Sequence, residues 1–192
     1  MVLGADRIIQ LVRSGVEVET PDKTRAVKPL IEGLSDSQVA GIEGTTVDLR
    51  VGALHKPASG ARLHTDARVT PKIDCVADIA RGDRFYTIKP NEYLLAQTIE
   101  TVNLPAELFA TLSPRTTMFR SGLFVSATYI SPNYQGKLTC AVKNLSEYDV
   151  ELELGFRILI CAFYEIAGHA VPYRGVWQGD RVSTDGQVER PF

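Results

Sequence analysis

Within the short stretch Pro114-Arg115-Thr116-Thr117-Met118-Phe119-Arg120 the chain sets a guanidinium, two hydroxyls and a run of backbone N–H groups side by side. That set suits an anion with several oxygens. An arginine fork donates paired bonds, and consecutive amides in a turn form a concave nest. Pro114 presets the turn. Arg120, five residues after Arg115, is in reach of the same anion or of a reacting water. A second set lies near the C-terminus. Tyr173 and Trp177 are large rings in a polar segment, Gln178 carries a donor and an acceptor on one amide, and Arg174 and Arg181 supply charge.

Groups able to move protons are scarcer. Asp48 lies in Gly44-Thr45-Thr46-Val47-Asp48-Leu49-Arg50-Val51-Gly52, Glu43 in the Gly-flanked loop before it, and Asp180 in the tail. Asp48 and Arg120 are the candidate catalytic residues. A carboxylate inside a strand has a structural use too, as the partner of an arginine or of backbone N–H groups. Cys75, Cys140 and Cys161 form no CxxC pair and no Cys/His cluster at zinc-ligand spacing, so zinc is not expected. Cys140 and Cys161 sit in apolar runs and read as small core hydrophobes. His55 and His64 are too far apart to argue for a metal and read as loop or surface histidines.

The elements that must position these groups are mostly strands. A short helix opens the chain, with Asp6 as N-cap, Ile8, Ile9, Leu11 and Val12 at helical spacing, and Gly15 as the stop. The sequence after Pro21 is polar and irregular to about Ala40. Strands are expected at 45–51 (ended by Gly52), 85–88, 93–99, 123–130, 137–143, 150–154 and 157–164. Residues 104–110 read as a turn or a short helical piece. Short strands with frequent turn signals point to a barrel or jelly roll. The tail from Pro172 has too few apolar residues for a core of its own. It is either disordered or a flap over something else, which divides the chain into a body at 1–171 and a lid at 172–192.

Composition sets the outer bounds. With 192 residues, 44% hydrophobic and 23% charged, one domain can bury a full core. Lys+Arg 21 against Asp+Glu 23 gives a net charge of -2, which supplies no basic field for nucleic acid. No apolar run approaches a membrane span and the N-terminus lacks a signal-peptide layout. Sparse, odd cysteines suit a reducing compartment, so a cytoplasmic protein is expected.

Several segments together resemble the dCTP deaminase / trimeric dUTPase superfamily. These are the Asp6-Arg7-Ile8-Ile9 helix with Gly15 and Pro21, the Gly44–Gly52 motif, and Lys89-Pro90-Asn91-Glu92-Tyr93-Leu94-Leu95-Ala96-Gln97-Thr98 followed by Val102-Asn103-Leu104-Pro105. Pro114-Arg115-Thr116-Thr117-Met118-Phe119-Arg120-Ser121-Gly122-Leu123 is similar to an Arg-Ser-Ser phosphate motif, with Thr for Ser twice. Gly155-Phe156-Arg157-Ile158 and Tyr173-Arg174-Gly175-Val176-Trp177-Gln178-Gly179 complete the order. The resemblance implies an all-β, distorted barrel or jelly roll of the dUTPase-like type with a short N-terminal helix, assembled as a homotrimer with sites between subunits. It implies a dCTP- or dUTP-type nucleotide as ligand, and Mg²⁺ carried in with the triphosphate. Arg115, Thr116, Thr117, Ala127, Tyr173, Trp177 and Gln178 become the substrate-binding set, with Gln178 suited to a base edge and Arg174 and Arg181 to phosphates. Deamination of dCTP is the leading activity, with dUTP hydrolysis beside it.

The resemblance also exposes a departure. Family deaminases carry a glutamate that activates water where this chain has Ala141, between Cys140 and Val142. The aspartate used by trimeric dUTPases falls at Ser131, in the turn Ile130-Ser131-Pro132-Asn133. Asp48, Glu43 and Asp180 are the candidate replacements. Lys143, on the same strand face as Ala141, is a candidate partner for a phosphate or carboxylate. Losing a positioned general base costs roughly 10²–10⁴ in rate. A nucleotide binder without turnover and an enzyme for a modified pyrimidine nucleotide are therefore the alternatives.

Overall fold

The computed structural model describes residues 1–20, 22–173 and 175–190, so the readings of Pro21 and Arg174 lie outside the described residues. Helix α1 (Ala5–Ser14) leads into the hairpin β1 (Val16–Glu19) and β2 (Arg25–Lys28), then β3 (Ile31–Glu32) and α2 (Asp36–Ala40). Long β4 (Thr46–Pro57) is followed by short β5 (Arg62–Leu63) and β6 (Arg68–Val69), then β7 (Ile73–Asp78) and β8 (Phe85–Ile88). The rest is β9 (Tyr93–Asn103), β10 (Leu108–Pro114), α3 (Thr116–Arg120), β11 (Leu123–Ser126), β12 (Tyr129–Ile130), β13 (Gln135–Asn144), β14 (Val150–Glu153) and β15 (Arg157–Glu165).

Nine strands form one curled sheet in the order β11-β13-β9-β4-β15-β10-β12, with β3 on β9 and β7 on β4. The curl comes from β4. Its first half pairs with β15 and its second half with β9 and β7, with register shifts between Val51 and Ala53 and between Leu54 and His55. Such irregularities bend a strand and sharpen its twist. Gly52 sits at this bend. An added Cβ would lie 3.1 Å from the Ile99 backbone nitrogen, so the glycine permits close strand approach rather than ending the strand.

Period-2 alternation divides the strands. Val47, Leu49 and Val51 of β4, Leu94 and Ala96 of β9, and Leu138, Cys140 and Val142 of β13 point into the core with Ile158 and Phe163. Asp48, Thr139, Ala141 and Lys143 lie on the opposite faces, half-buried. Among the described residues one acidic side chain is enclosed. Glu100 is fully buried and accepts from the Arg50 backbone N–H at 2.8 Å and from Arg50 Nε at 2.6 Å, so its charge is neutralised in place.

Five local expectations need correction. The helix N-cap is Gly4, and Asp6 lies within the first turn, where its negative charge complements the positive end of the helix dipole. Gly15 does end the helix, at φ 83°. The segment after Pro21 carries strands and a helix. Val27 and Ile31 supply the β character, and a reciprocal Ser35–Gln38 cap starts α2. Strand β4 runs past Gly52 to Pro57. The turn expected over 104–110 gives way at Leu108, where β10 begins against β15, because Leu108 and Ala110 alternate into the core. The single strand expected at 123–130 is split into β11 and β12 by a break at Ala127 and Thr128.

Candidate functional site

Arg115 follows β10 and stands at the N-cap of α3, with extended backbone (φ -66°, ψ 143°) and its N–H donated to Ile158 O at 3.0 Å. Strand β15 therefore fixes where the arginine leaves the sheet. Thr116, Thr117 and Arg120 are exposed along α3, and Met118, fully buried, anchors it. Asp48 comes to Arg115 from β4. Its Oδ1 accepts from Arg115 Nη1, while Oδ2 accepts from Arg157 Nη1 at 2.9 Å. The three side chains border a cavity of about 580 Å³ with Ser37, Glu43 and Thr46. Two of the candidate replacement bases, Asp48 and Glu43, thus share a cavity with Arg115. Asp48 has both oxygens engaged by guanidinium groups, which suits a positioning anion more than a proton acceptor. Arg157, quoted above only as part of a motif, is the partner that sequence spacing did not reveal.

A second cavity of about 520 Å³ lies elsewhere on the chain, bordered by Leu95, Thr128, Tyr129, Ser131, Tyr134 and Thr139 and roofed by the tail residues Tyr173, Trp177 and Arg181. Ala127, half-buried at the β11–β12 break, packs against the core beside Thr128. No residue borders both cavities among those described.

The tail is held at several points. Gln178 Oε1 accepts from the Gln135 N–H at 2.9 Å and Gln178 Nε2 donates to Asn133 O at 2.8 Å. Both ends of that amide are thus taken by the turn before β13. Asp180 accepts from the Lys137 N–H, and Gln97 Nε2 donates to Asp180 O at 2.7 Å. The guanidinium carbons of Arg68 and Arg181 are 5.3 and 5.6 Å from the Trp177 ring centroid, and both arginines pair with Glu189. Arg181 is therefore bound within the tail, and Asp180 is committed to the backbone of β13. Tyr173 meets Tyr134 edge-on at 5.8 Å. Burial and the nearby Asp180 carboxylate push the Tyr134 hydroxyl well above its usual range, so it stays a donor, to Lys137 O at 2.7 Å.

Ala141 lies in β13 opposite Ser126 on one side and Leu95 on the other. Along the same face come Thr139 and Lys143, and opposite these stand Gln97, Tyr93 and Phe124. None of these neighbours is an acid. Ser131 borders the tail-roofed cavity, again with no carboxylate.

Two further groups differ from or extend the sequence reading. His55 is in β4 between Cys75 and Leu95, with both ring nitrogens buried and without a hydrogen-bond partner among the described residues. It is half-buried rather than a surface or loop histidine, with its ring nitrogens covered. Burial lowers its pKa, helped by Arg81 and opposed by Asp78. Cys140 and Cys161 are buried as expected, and burial pushes the Cys140 thiol up to about 12.

The profile of the dCTP deaminase-like family matches residues 5–166. The chain belongs to that family. It is 33% identical over 152 residues to the dUMP-forming dCTP deaminase of Dictyoglomus thermophilum, covering 76% of this chain and 77% of that one. It is also 33% identical over 162 residues to the dCTP deaminase of Thermococcus kodakarensis, covering 84% and 92%. The family fold appears in the crystal structure of 2'-deoxycytidine 5'-triphosphate deaminase from Agrobacterium tumefaciens, which superposes with a TM-score of 0.58 at 14% identity. That match covers 84% of this chain and 48% of the other, so the chain spans about half its length. The architecture is thus the dUTPase-like, mostly β fold with a short N-terminal helix. No helix among the described residues is long and apolar enough to cross a membrane.

Proposed function

We propose that this chain binds a pyrimidine deoxynucleoside triphosphate and deaminates dCTP, water replacing the C4 amino group to give dUTP and ammonia, with dUTP hydrolysis as a companion activity. The observation that carries the reading is the Arg115-Thr116-Thr117 turn, a guanidinium beside two exposed hydroxyls at the end of β10. Named dCTP deaminases that align over three quarters or more of the chain support it. The tail-roofed cavity, rich in aromatic rings, suits a nucleoside, since such pockets bury flat groups and orient them with few polar contacts.

Cradle and roofed cavity are separate in one chain, which favours a homotrimer in which the cradle of one copy meets the cavity of the next. Mg²⁺ enters on the phosphate oxygens, as it commonly does. Among the described residues no three His, Cys, Asp or Glu side chains are gathered to hold an ion, so the chain's share in binding it runs through Arg115 and its neighbours on the phosphates.

The acid-free face around Ala141 favours a second reading, a protein that holds the nucleotide without turning it over. One pair of assays separates the two. Purified protein is given dCTP with Mg²⁺, and ammonia and diphosphate release are followed for the wild type and Ala141→Glu. Ammonia from the wild type supports the enzyme. Binding without ammonia, with deamination gained in Ala141→Glu by about 10²-fold or more over the wild type, supports the silent binder. Absence of nucleotide binding in both proteins contradicts both readings.

A further inference from the structure

The Arg115–Asp48 pair raises an electrostatic problem. A guanidinium already bonded to a carboxylate is close to neutral as a pair, and a neutral pair is a poor partner for a polyphosphate. Asp48 is two-thirds or more buried, at 24% side-chain exposure, and Arg115 is 31% exposed, so water weakens their attraction only in part. Arg157 changes the count. It takes the other oxygen of Asp48 at 2.9 Å while 58% of its own side chain remains exposed. Two guanidinium groups on one carboxylate leave a net charge of +1, aimed into the cavity of about 580 Å³. Glu43 borders that cavity as an exposed loop residue and forms no ion pair among the described residues.

The geometry points to Arg157 as a positioning residue for the anion site: by sharing Asp48 it offsets the carboxylate's charge, so that Arg115 stays oriented by Asp48 while the trio keeps a net positive charge for phosphate. The inference rests on the nucleotide reading above and adds the residue that sets the charge of its cradle. Arg157 sits in β15 opposite Arg50, which is itself neutralised by Glu100, so the sheet register holds Arg157 toward Asp48 without a competing acid on the neighbouring strand.

The test is binding by calorimetry with two probes, dCTP with Mg²⁺ and inorganic tripolyphosphate, in the full chain. Arg157→Leu leaves a neutral Arg115–Asp48 pair and weakens both probes about tenfold. Adding Asp48→Asn to Arg157→Leu frees Arg115 again and returns affinity to within about threefold of wild type. Arg157→Lys, which keeps the charge, stays near wild type and guards against misfolding as the cause. A merely structural Arg157 would make the double variant weaker than the single one. Equal affinity in wild type and Arg157→Leu, or no recovery in the double variant, overturns the inference. No binding of either probe by the wild type instead overturns the nucleotide reading itself.

Discussion

His55 shows what a single buried side chain does to the pH response. Its ring nitrogens have no partner among the described residues and burial lowers its pKa below the ordinary value of 6.5, so the folded state takes up the proton less readily than the unfolded chain. The contribution is intact above about pH 6.5 and is lost as pH falls toward the depressed folded pKa, because protons then favour the unfolded state. We expect the melting temperature to fall on going from about pH 8 to about pH 5, and the fall to be smaller in His55→Gln. An identical pH response in the two proteins would show that His55 does not titrate unfavourably. In the sequence this residue stood among Pro and Gly and looked exposed. Its burial follows from the extension of β4 past Gly52, a pairing decision invisible in local spacing. The Arg115-Thr116-Thr117 turn was legible, because its chemistry is contiguous. The pairing of Asp48 with Arg115 and Arg157 was legible only as a type of contact, since the partners lie 67 and 109 residues away.

At the scale of elements, strand alternation made β8, β9, β13, β14 and β15 readable, while the pieces that depend on remote pairing were misjudged. Leu104–Ala110 looked like a turn until β15 was there to receive β10. The tail is the other case. Its apolar poverty excluded a core, and its anchorage comes from contacts with the turn at 131–137 and with residues 68–71 that no local pattern encodes. Gly136 is central to that anchorage. It has φ +147°, and an added Cβ would lie 2.9 Å from the Asp180 backbone nitrogen and 3.1 Å from that of Gly179. Gly136→Ala should therefore lift residues 178–180 from β13, at a strain of about 1–3 kcal/mol if the tail stays docked. Trp177 is the single tryptophan, so its emission reports the event directly. A red shift with faster proteolysis of the tail is the expected result; unchanged emission would show that the tail is held independently of this crossing.

At the scale of the whole molecule, a curled β body presents the Arg115–Asp48–Arg157 cluster in one place and an aromatic, tail-roofed cavity in another. The sequence order of the motifs conveyed the family, because that order survives even where single residues change. It did not convey which residues replace the lost carboxylates, and the acid-free surroundings of Ala141 and Ser131 leave the binding function better supported than any proton-transfer step. The central claim is that the cradle grips a nucleoside triphosphate. It is tested most directly by thermal shift with dCTP, dUTP, dTTP and deoxycytidine, each with Mg²⁺, in the wild type and in Arg115→Ala. A ligand at about a hundredfold excess over its Kd stabilises the folded state by about 2.7 kcal/mol. The account predicts a clear rise in melting temperature with dCTP, a much smaller one with deoxycytidine, and loss of most of the dCTP effect in Arg115→Ala. No rise with any of the three triphosphates in the wild type, or an equal rise in Arg115→Ala, would contradict it.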